Sequence, residues 1–198
     1  MADIFILWSG DDGQTHRIAQ VIEKVARADG HRLEVLNADA PSTRPIFSAV
    51  DAVAVVAWGE GGEYSQELRR LLRRVSHRLP GTPSAFLSVS LTAAALGREE
   101  EARQWASAFL ADVPWQPTIA LSEAGALRYP EYHFRQRRAM RRLAKRLGLP
   151  KDTSRVHDFT DWPRVSAFAA SVMQLASRST GNSVAALAQP AAVNSGVR

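Results

Sequence analysis

The sequence predicts an α/β protein built on a doubly wound, five-stranded parallel sheet with strand order 2-1-3-4-5. Five apolar, β-rich runs recur along the chain, and amphipathic helical patterns lie between them. The third run, AVAVVAW at 52–58, has no polar alternation, which is typical of a strand buried on both faces of a parallel sheet. Repeated strand–helix alternation favours right-handed crossovers. Ligands of such sheets bind at the carboxyl ends of the strands, where the strand order reverses.

The same patterns place the individual elements. Strands are expected at 3–8, 32–37, 51–58, 84–89 and 118–121. Helices are expected at 14–28, 64–79, 98–110 and 161–176, where apolar residues recur at i, i+3, i+4 and i+7. Gly30 should end the first helix, and Asp161 should cap the last.

Two segments lie outside this repeat. Residues 129–155 form an insertion before the last helix. Residues 179–198 are small, polar and non-periodic, and we expect them to be a disordered tail. One domain therefore covers residues 1–178.

The composition excludes several classes of function. The chain has 198 residues, enough for one domain with a full core. It has no cysteine, so it has no disulfide, thiolate metal site or cysteine nucleophile. The five histidines are scattered without ligand spacing, and we expect no metal site. No apolar run is long enough to span a membrane and the N-terminus lacks a secretory signal, so a cytoplasmic location is expected.

The loop after the first strand, SGDDGQT at 9–15, is a candidate anion site. A helix start directs free N–H groups at such a loop, Ser9 and Thr15 add hydroxyls, and Gly13 allows close approach of the backbone. The lysine of a Walker loop and the glycine spacing of a dinucleotide fingerprint are both missing. A monophosphate held by amides and hydroxyls is one interpretation, with Asp12 shaping the turn and Asp11 pointing to solvent. An exposed turn that binds nothing is the other.

The ends of the third and fourth strands could complete a flavin site. Trp58 and Tyr64, in WGEGGEY at 58–64, offer flat cover for a flavin ring, and the glycines between them offer amide donors. Core packing of Trp58 and a plain mobile glycine loop are the alternatives. The candidate cofactor-binding residues are Ser9, Gly10, Asp11, Asp12, Gly13, Gln14, Thr15, Trp58, Gly59, Gly61, Gly62, Tyr64, Ser88, Val89, Ser90 and Leu91.

The formal net charge of +5 is concentrated in one segment. Residues 127–156 contain ten basic and two acidic residues, and 133–150 predicts a basic amphipathic helix that ends at Gly148. A solvated helix packed on its own domain, an anionic membrane surface, and an anionic substrate or acidic protein are three open interpretations. No motif for reading nucleic acid is present. The candidates for substrate or membrane contact are Arg128, Tyr129, His133, Arg137, Arg138, Arg141 and Arg142.

Over about residues 3–175 the sequence resembles the menaquinone-dependent protoporphyrinogen oxidases, flavodoxin-like FMN proteins of heme biosynthesis. The matching stretches, in family order, are SGDDGQTHRIA, TPSAFLSVSL, PWQP, GALRYPEY and FTDW. The resemblance implies FMN at 9–15 and at the third and fourth strand ends, and flavin-centred oxidation of protoporphyrinogen IX to protoporphyrin IX. It also implies electron transfer to a membrane quinone. Residues 133–148 would then face the anionic inner surface of the cell membrane.

Two departures from that family keep other functions open. The loop after the third strand reads GEGGEY where the family carries an Arg-Tyr-Gly type of segment, and the insertion is unusually rich in arginine. A flavodoxin-like electron carrier without porphyrinogen activity is therefore the alternative. The basic charge argues against it, because such carriers are typically acidic. A docking module that kept the fold and lost the flavin is a third hypothesis.

Overall fold

The computed structural model describes residues 1–10, 13–40, 50–79 and 81–187. In this part of the chain the strands are β1 (Asp3–Ser9), β2 (Arg32–Asn37), β3 (Ala52–Glu60), β4 (Glu63–Tyr64), β5 (Ser84–Ser90), β6 (Ile119–Ala124), β7 (Ala126–Arg128) and β8 (Val156–Asp158). The helices are α1 (Gln14–Ala28), α2 (Gln66–Val75), α3 (Glu99–Asp112), α4 (Phe134–Leu147) and α5 (Trp162–Leu187).

The central sheet has the strand order β2-β1-β3-β5-β6, and these five strands are all parallel. This confirms the order predicted from the sequence. In the register of β1 and β3, Ser9 lies opposite Ala57. The loop after β1 and the Trp58 end of β3 therefore meet at the carboxyl edge of the sheet.

Alternation along the strands divides the core into two layers. Ile4 and Ile6 of β1 face the layer that contains α1 and α5, whereas Phe5 and Leu7 face the layer that contains α2 and α3. Residues 52–57 of β3 are buried throughout, as the absence of polar alternation predicted. Successive strand side chains point to opposite faces, so a centrally placed strand must be apolar on both.

The insertion folds as a helix held by a small antiparallel ribbon. The His133 ring caps α4 by accepting a hydrogen bond from the Gln136 amide (3.3 Å), and Gly148 ends the helix in the left-handed region (φ +70°). The apolar stripe of α4 packs on a third buried cluster that includes Leu91, Leu127 and Tyr129. The predicted helix and its end at Gly148 are confirmed. The ribbon strands β7 and β8 were not predicted.

The last helix is longer than the sequence predicted. Asp161 caps it as expected, because its Oδ1 accepts a hydrogen bond from the Arg164 amide (3.1 Å). The helix then continues to Leu187, past residue 179, where the disordered tail was expected to begin. Once a helix is anchored, each added residue gains one backbone hydrogen bond, and the alanines and leucine near 187 are good helix formers. Residues 188–198 of the expected tail lie outside the described part of the chain.

Candidate functional site

A cavity of about 480 Å³ lies at the carboxyl edge of the sheet, over the ends of β1 and β3. This is the point where the strand order reverses, as expected for a ligand site. The cavity draws residues from the first loop, the turn after β2, the end of β3, the start of α2, and α4. Its lining residues are Ser9, Gly10, Asp39, Trp58, Glu63, Ser65, Glu67, Gln136 and Met140.

The first loop has the donors that a phosphate needs. Gly13 is the N-cap of α1, and because glycine has no side chain it cannot accept a hydrogen bond from the first amides of the helix. The backbone within the helix offers these amides no acceptor either. Thr15 is fully buried, and its hydroxyl has no hydrogen-bond partner among the described residues. A buried polar group without a partner is costly, and an anion in the loop would satisfy it. Asp11 and Asp12, and the roles predicted for them, lie outside the described residues.

Gly10 makes the loop compact. Its φ is +146°, and a Cβ at this position would lie 2.8 Å from Thr15 Oγ1 and 3.0 Å from Trp58 Cβ. Only glycine tolerates both the backbone conformation and the contact. Gly10 therefore lies directly against Thr15 at the wall of the cavity.

The hydroxyl of Ser9 has a partner that the sequence did not indicate. Ser9 Oγ donates to the carboxylate of Asp39, at 3.1 and 3.0 Å from its two oxygens. The Gly10 amide donates to Asp39 Oδ2 at 2.8 Å, and the Ser65 hydroxyl donates to Oδ1. Ser9 lines the cavity as predicted, but in this structure its hydroxyl donates to Asp39. Asp39 lies two residues after β2, which is beside β1, and the strand order is the signal that could have found it.

Gln14 also has a structural role. Its Nε2 donates to Asp158 Oδ1 (3.0 Å) and to Thr160 Oγ1 (2.7 Å). These bonds join the start of α1 to the end of β8. The side chain is fully buried and does not line the cavity.

Trp58 is placed as expected, at the wall of the cavity. Two glycines make room for its side chain: a Cβ at Gly125 would be only 3.0 Å from Trp58 Cζ3 in the ring, and one at Gly10 would be 3.0 Å from Trp58 Cβ. The ring also packs against two of the buried clusters. It thus provides both the flat wall and the core packing that the sequence suggested as alternatives.

Tyr64 corrects a second expectation. The short β4 hairpin turns its ring into the core, where it stacks on Phe109 (4.2 Å between centroids) and its hydroxyl is hydrogen-bonded to Ser88 (2.7 Å). Burial raises the pKa of the Tyr64 phenol to about 12. Gly59 is required by this packing, since a Cβ there would lie 2.1 Å from the ring. Tyr64 and Ser88 therefore do not line the cavity, and neither does Val89, which is fully buried.

Glu60 orders the segment after β5. Its Oε2 accepts from the amides of Leu91 (2.8 Å) and Thr92 (3.3 Å), and its Oε1 accepts from the Thr92 hydroxyl (2.6 Å). The hydroxyl of Ser90 accepts from the Ala93 amide at 3.1 Å. Ser90 and Leu91 were both predicted to bind the cofactor, and in this structure the Leu91 amide and the Ser90 hydroxyl form hydrogen bonds within the protein. Gly61 and Gly62 form the β3–β4 turn with positive φ at both positions.

Three of the residues predicted to contact substrate or membrane instead hold the insertion together. Arg137 donates to the backbone carbonyls of Tyr129 and Tyr132, both at 3.1 Å. Tyr129 is buried and its hydroxyl donates to the Pro150 carbonyl (3.2 Å). His133 caps α4. Burial corrects the expectation of an exposed contact for Tyr129, whereas Arg137 is half-buried and also lines the cationic cavity on the outer face of α4.

The outer face of α4 carries a second, cationic cavity of about 450 Å³. Phe134 is 76% exposed at its edge. The basic residues of this face form no ion pair within the described residues, whereas basic residues elsewhere, such as Arg70 and Arg103, pair with acids three residues away. The cavity is lined by Phe134, Arg137, Arg138, Arg141, Arg142, Lys145, Lys151 and Thr153. Among the helices described, none has the length and apolar content required to cross a bilayer.

The fold and its first loop define a flavodoxin-like protein. Residues 5–154 match the family model described as a flavodoxin domain. The fold is similar to that of oxidised flavodoxin 1 from Bacillus cereus, with a TM-score of 0.55 and 14% identity over 87% of this chain and 98% of that one. Flavodoxin 2 from the same organism gives a TM-score of 0.50 and 17% identity over 87% of this chain and 99% of that one. At these identities the likeness shows the fold alone.

Two curated relatives narrow the class further. The chain is 31% identical over 176 residues, 88% of its length and 97% of the relative's, to protoporphyrinogen IX dehydrogenase (quinone) of Escherichia coli strain K12. It is 28% identical over 166 residues to the protein of the same name from Leishmania major, covering 83% of this chain and 71% of that one. The chain therefore belongs to the protoporphyrinogen IX dehydrogenase family of flavodoxin-like oxidoreductases. The resemblance drawn from the sequence is confirmed.

Proposed function

We propose that the chain binds FMN in the cavity at the carboxyl edge of the sheet and oxidises protoporphyrinogen IX to protoporphyrin IX in heme biosynthesis. Electrons would pass to a membrane quinone. When bound, FMN would supply the redox chemistry, and the protein would supply position and electrostatics. The observation that carries the proposal is the buried hydroxyl of Thr15, which lies against Gly10 at the start of α1 and has no hydrogen-bond partner in the described part of the chain.

The residues in and beside the cavity would have three roles. Thr15 lies next to Gly10 at the cavity wall, and with the first amides of α1 it would hold the phosphate, since helix starts favour anions. Trp58 would provide a flat wall beside the flavin ring. Gln136 and Met140 of α4 close one side of the cavity and would limit the access of water.

The proposal includes a peripheral position at the inner, anionic face of the cell membrane, reached through α4. The apolar stripe of α4 is used on its own domain, so its outer face presents Phe134 beside unpaired cations. Each basic residue near an anionic surface contributes about 1 kcal/mol of attraction. A quinone acceptor dissolved in lipid would then be close to the protein.

The decisive experiment makes two measurements on the purified protein. Its absorption spectrum should show bound flavin, and the oxidation of protoporphyrinogen IX should accelerate when a quinone is added. A colourless protein that takes up no FMN would contradict the cofactor assignment. A yellow protein that leaves porphyrinogen untouched would contradict the substrate.

An electron carrier of the flavodoxin type is the second candidate, because one observation favours it. Asp39, Glu63 and Glu67 make the cavity acidic, and no basic side chain lines it among the described residues. The carboxylates of a porphyrin substrate would meet like charge there. The carrier hypothesis predicts rapid reduction of the bound flavin by a reductase and no turnover of porphyrinogen.

Membrane docking can be tested separately with a matched pair of variants. Arg138→Gln with Arg142→Gln removes two charges from the outer face of α4. Arg70→Gln with Arg103→Gln removes the same charge from α2 and α3. At about 1 kcal/mol per residue, the α4 pair should weaken binding to phosphatidylglycerol vesicles about thirtyfold. Equal losses from both pairs would mean that net charge, and not this face, drives binding.

A further inference from the structure

We infer that Arg128 is the cation of the phosphate site and acts at the start of α1, because residues 9–15 contain no lysine. The inference rests on the proposed binding of FMN and adds to it a residue that the sequence had suggested for substrate or membrane contact. Arg128 is the last residue of β7, outside the central sheet. Its side chain is nevertheless directed to the start of α1.

The position of the Arg128 side chain is known relative to Gly13. A Cβ at Gly13 would lie 3.9 Å from Arg128 Nε, so the guanidinium group lies close to the N-cap of α1. The Arg128 side chain is only 12% exposed. Thr15, whose buried hydroxyl is unpartnered within the described residues, lies in the first turn of the same helix. The guanidinium group and the Thr15 hydroxyl therefore both lie at the start of α1, whose first amides favour an anion.

The fold holds Arg128 at this place. Asp158 of β8 pairs with Ala126 of β7, and Asp158 also accepts the hydrogen bond from Gln14 of α1. The Arg128 amide donates to the Tyr132 hydroxyl at 3.0 Å. The ribbon is therefore fixed against the start of α1, and the guanidinium group needs little rearrangement to act on a ligand. Preorganised charge of this kind is more effective than a flexible lysine.

Glu131 partly balances the charge of Arg128. Its carboxylate accepts from Arg128 Nε at 2.7 Å and from a terminal guanidinium nitrogen, and the pKa of Glu131 is lowered chiefly by this hydrogen bonding. Its side chain is 52% exposed, so water screens its charge more than that of the buried guanidinium group. A purely structural Arg128–Glu131 pair is the competing explanation. The two explanations differ in what they predict for the phosphate of FMN.

The test compares FMN with riboflavin, which lacks the phosphate, by quenching of flavin fluorescence. Arg128→Gln should weaken FMN binding about tenfold or more and leave riboflavin binding unchanged, because a charge-assisted contact is lost from the phosphate alone. Glu131→Gln should tighten FMN binding about threefold and leave riboflavin unchanged. Arg103→Gln, which removes an exposed arginine of α3, should alter neither.

Riboflavin binding also reports whether each variant is folded. Equal loss of both ligands in Arg128→Gln, or no loss of FMN, would overturn the inference. Arg128→Lys is a second variant with the charge retained, and it should keep part of the preference for FMN over riboflavin. Failure of the unmodified protein to bind either flavin would refute the cofactor assignment itself, which is a different result from loss of the phosphate preference alone.

Discussion

Asp39 accepts a hydrogen bond from the hydroxyl of Ser9 at 3.0 Å, which ties a residue after β2 to the loop after β1. The same carboxylate accepts from the Gly10 amide and from the hydroxyl of Ser65, the N-cap of α2. One acid therefore connects three segments at the edge of the cavity. The loop is positioned by the protein itself, and only its deeper donors are left for a ligand.

We expect Asp39→Ala to weaken both the fold and the loop. Removal of the carboxylate takes an acceptor from the Ser9 hydroxyl and the Gly10 amide and leaves the Ser65 hydroxyl with Glu67 at 3.4 Å, so the free energy of unfolding should fall by about 1–3 kcal/mol. Urea unfolding measures this change, and FMN titration measures the effect on the loop. Glu63→Gln, at an exposed carboxylate that also lines the cavity, serves as the control. Unchanged stability in Asp39→Ala would show that the network contributes nothing.

Thr15→Val should have effects of opposite sign on the flavin-free and flavin-bound protein. Valine has the shape of threonine without the hydroxyl, so the flavin-free protein no longer buries an unpartnered polar group and should be no less stable. FMN should bind about tenfold more weakly, since a hydrogen bond to a charged group contributes about 1.5–3 kcal/mol. Ser9→Ala should weaken FMN less than Thr15→Val does, because Ser9 donates to Asp39. The reverse order would contradict the assignment of these hydroxyls.

The sequence predicts the elements whose patterns are long. Helix α1 has the bounds predicted for it, and the non-alternating run of β3 correctly indicates the centre of a parallel sheet. Strands β4, β7 and β8 have two or three residues each, too few for a periodicity to be read. Their existence depends on pairing partners that come from tertiary structure.

The position of the cavity was predicted from the sequence, but the directions and partners of several of its side chains were not. The cavity lies at the first loop and Trp58, as expected, because strand order alone determines which strand ends meet. The direction of the Tyr64 ring depends on the hairpin formed by β4, and the partner of Ser9 depends on where β2 ends. Neither property is contained in local composition. The glycines of GEGGEY were predicted as amide donors to a flavin ring, and at Gly59 the structure adds a second constraint, the close packing of the Tyr64 ring.

Glu60 and Glu63 differ in what they do, although both lie in the same unusual segment. Glu60 accepts three hydrogen bonds from Leu91 and Thr92, whereas Glu63 is exposed at the edge of the cavity. Glu60→Ala should lower the free energy of unfolding by about 1–3 kcal/mol, because buried donors lose a charged acceptor. Glu63→Ala should change it by less than about 0.5 kcal/mol. Denaturant unfolding measures the free energy of unfolding of both variants. Equal losses in the two would contradict the structural role of Glu60.

Tyr64 should make the protein sensitive to alkali. Burial is the main cause of its raised pKa, about 12 against 10.0, so the unfolded chain loses this proton at lower pH than the folded chain. Between pH 10 and 12 the unfolded state binds fewer protons, and stability from this group falls by about 1.4 kcal/mol per pH unit. Tyr64→Phe removes that dependence, at the cost of the bond to Ser88. Urea midpoints at pH 9 and 11 should therefore differ less for the variant than for the unmodified protein, and equal differences would show that Tyr64 is not buried as described.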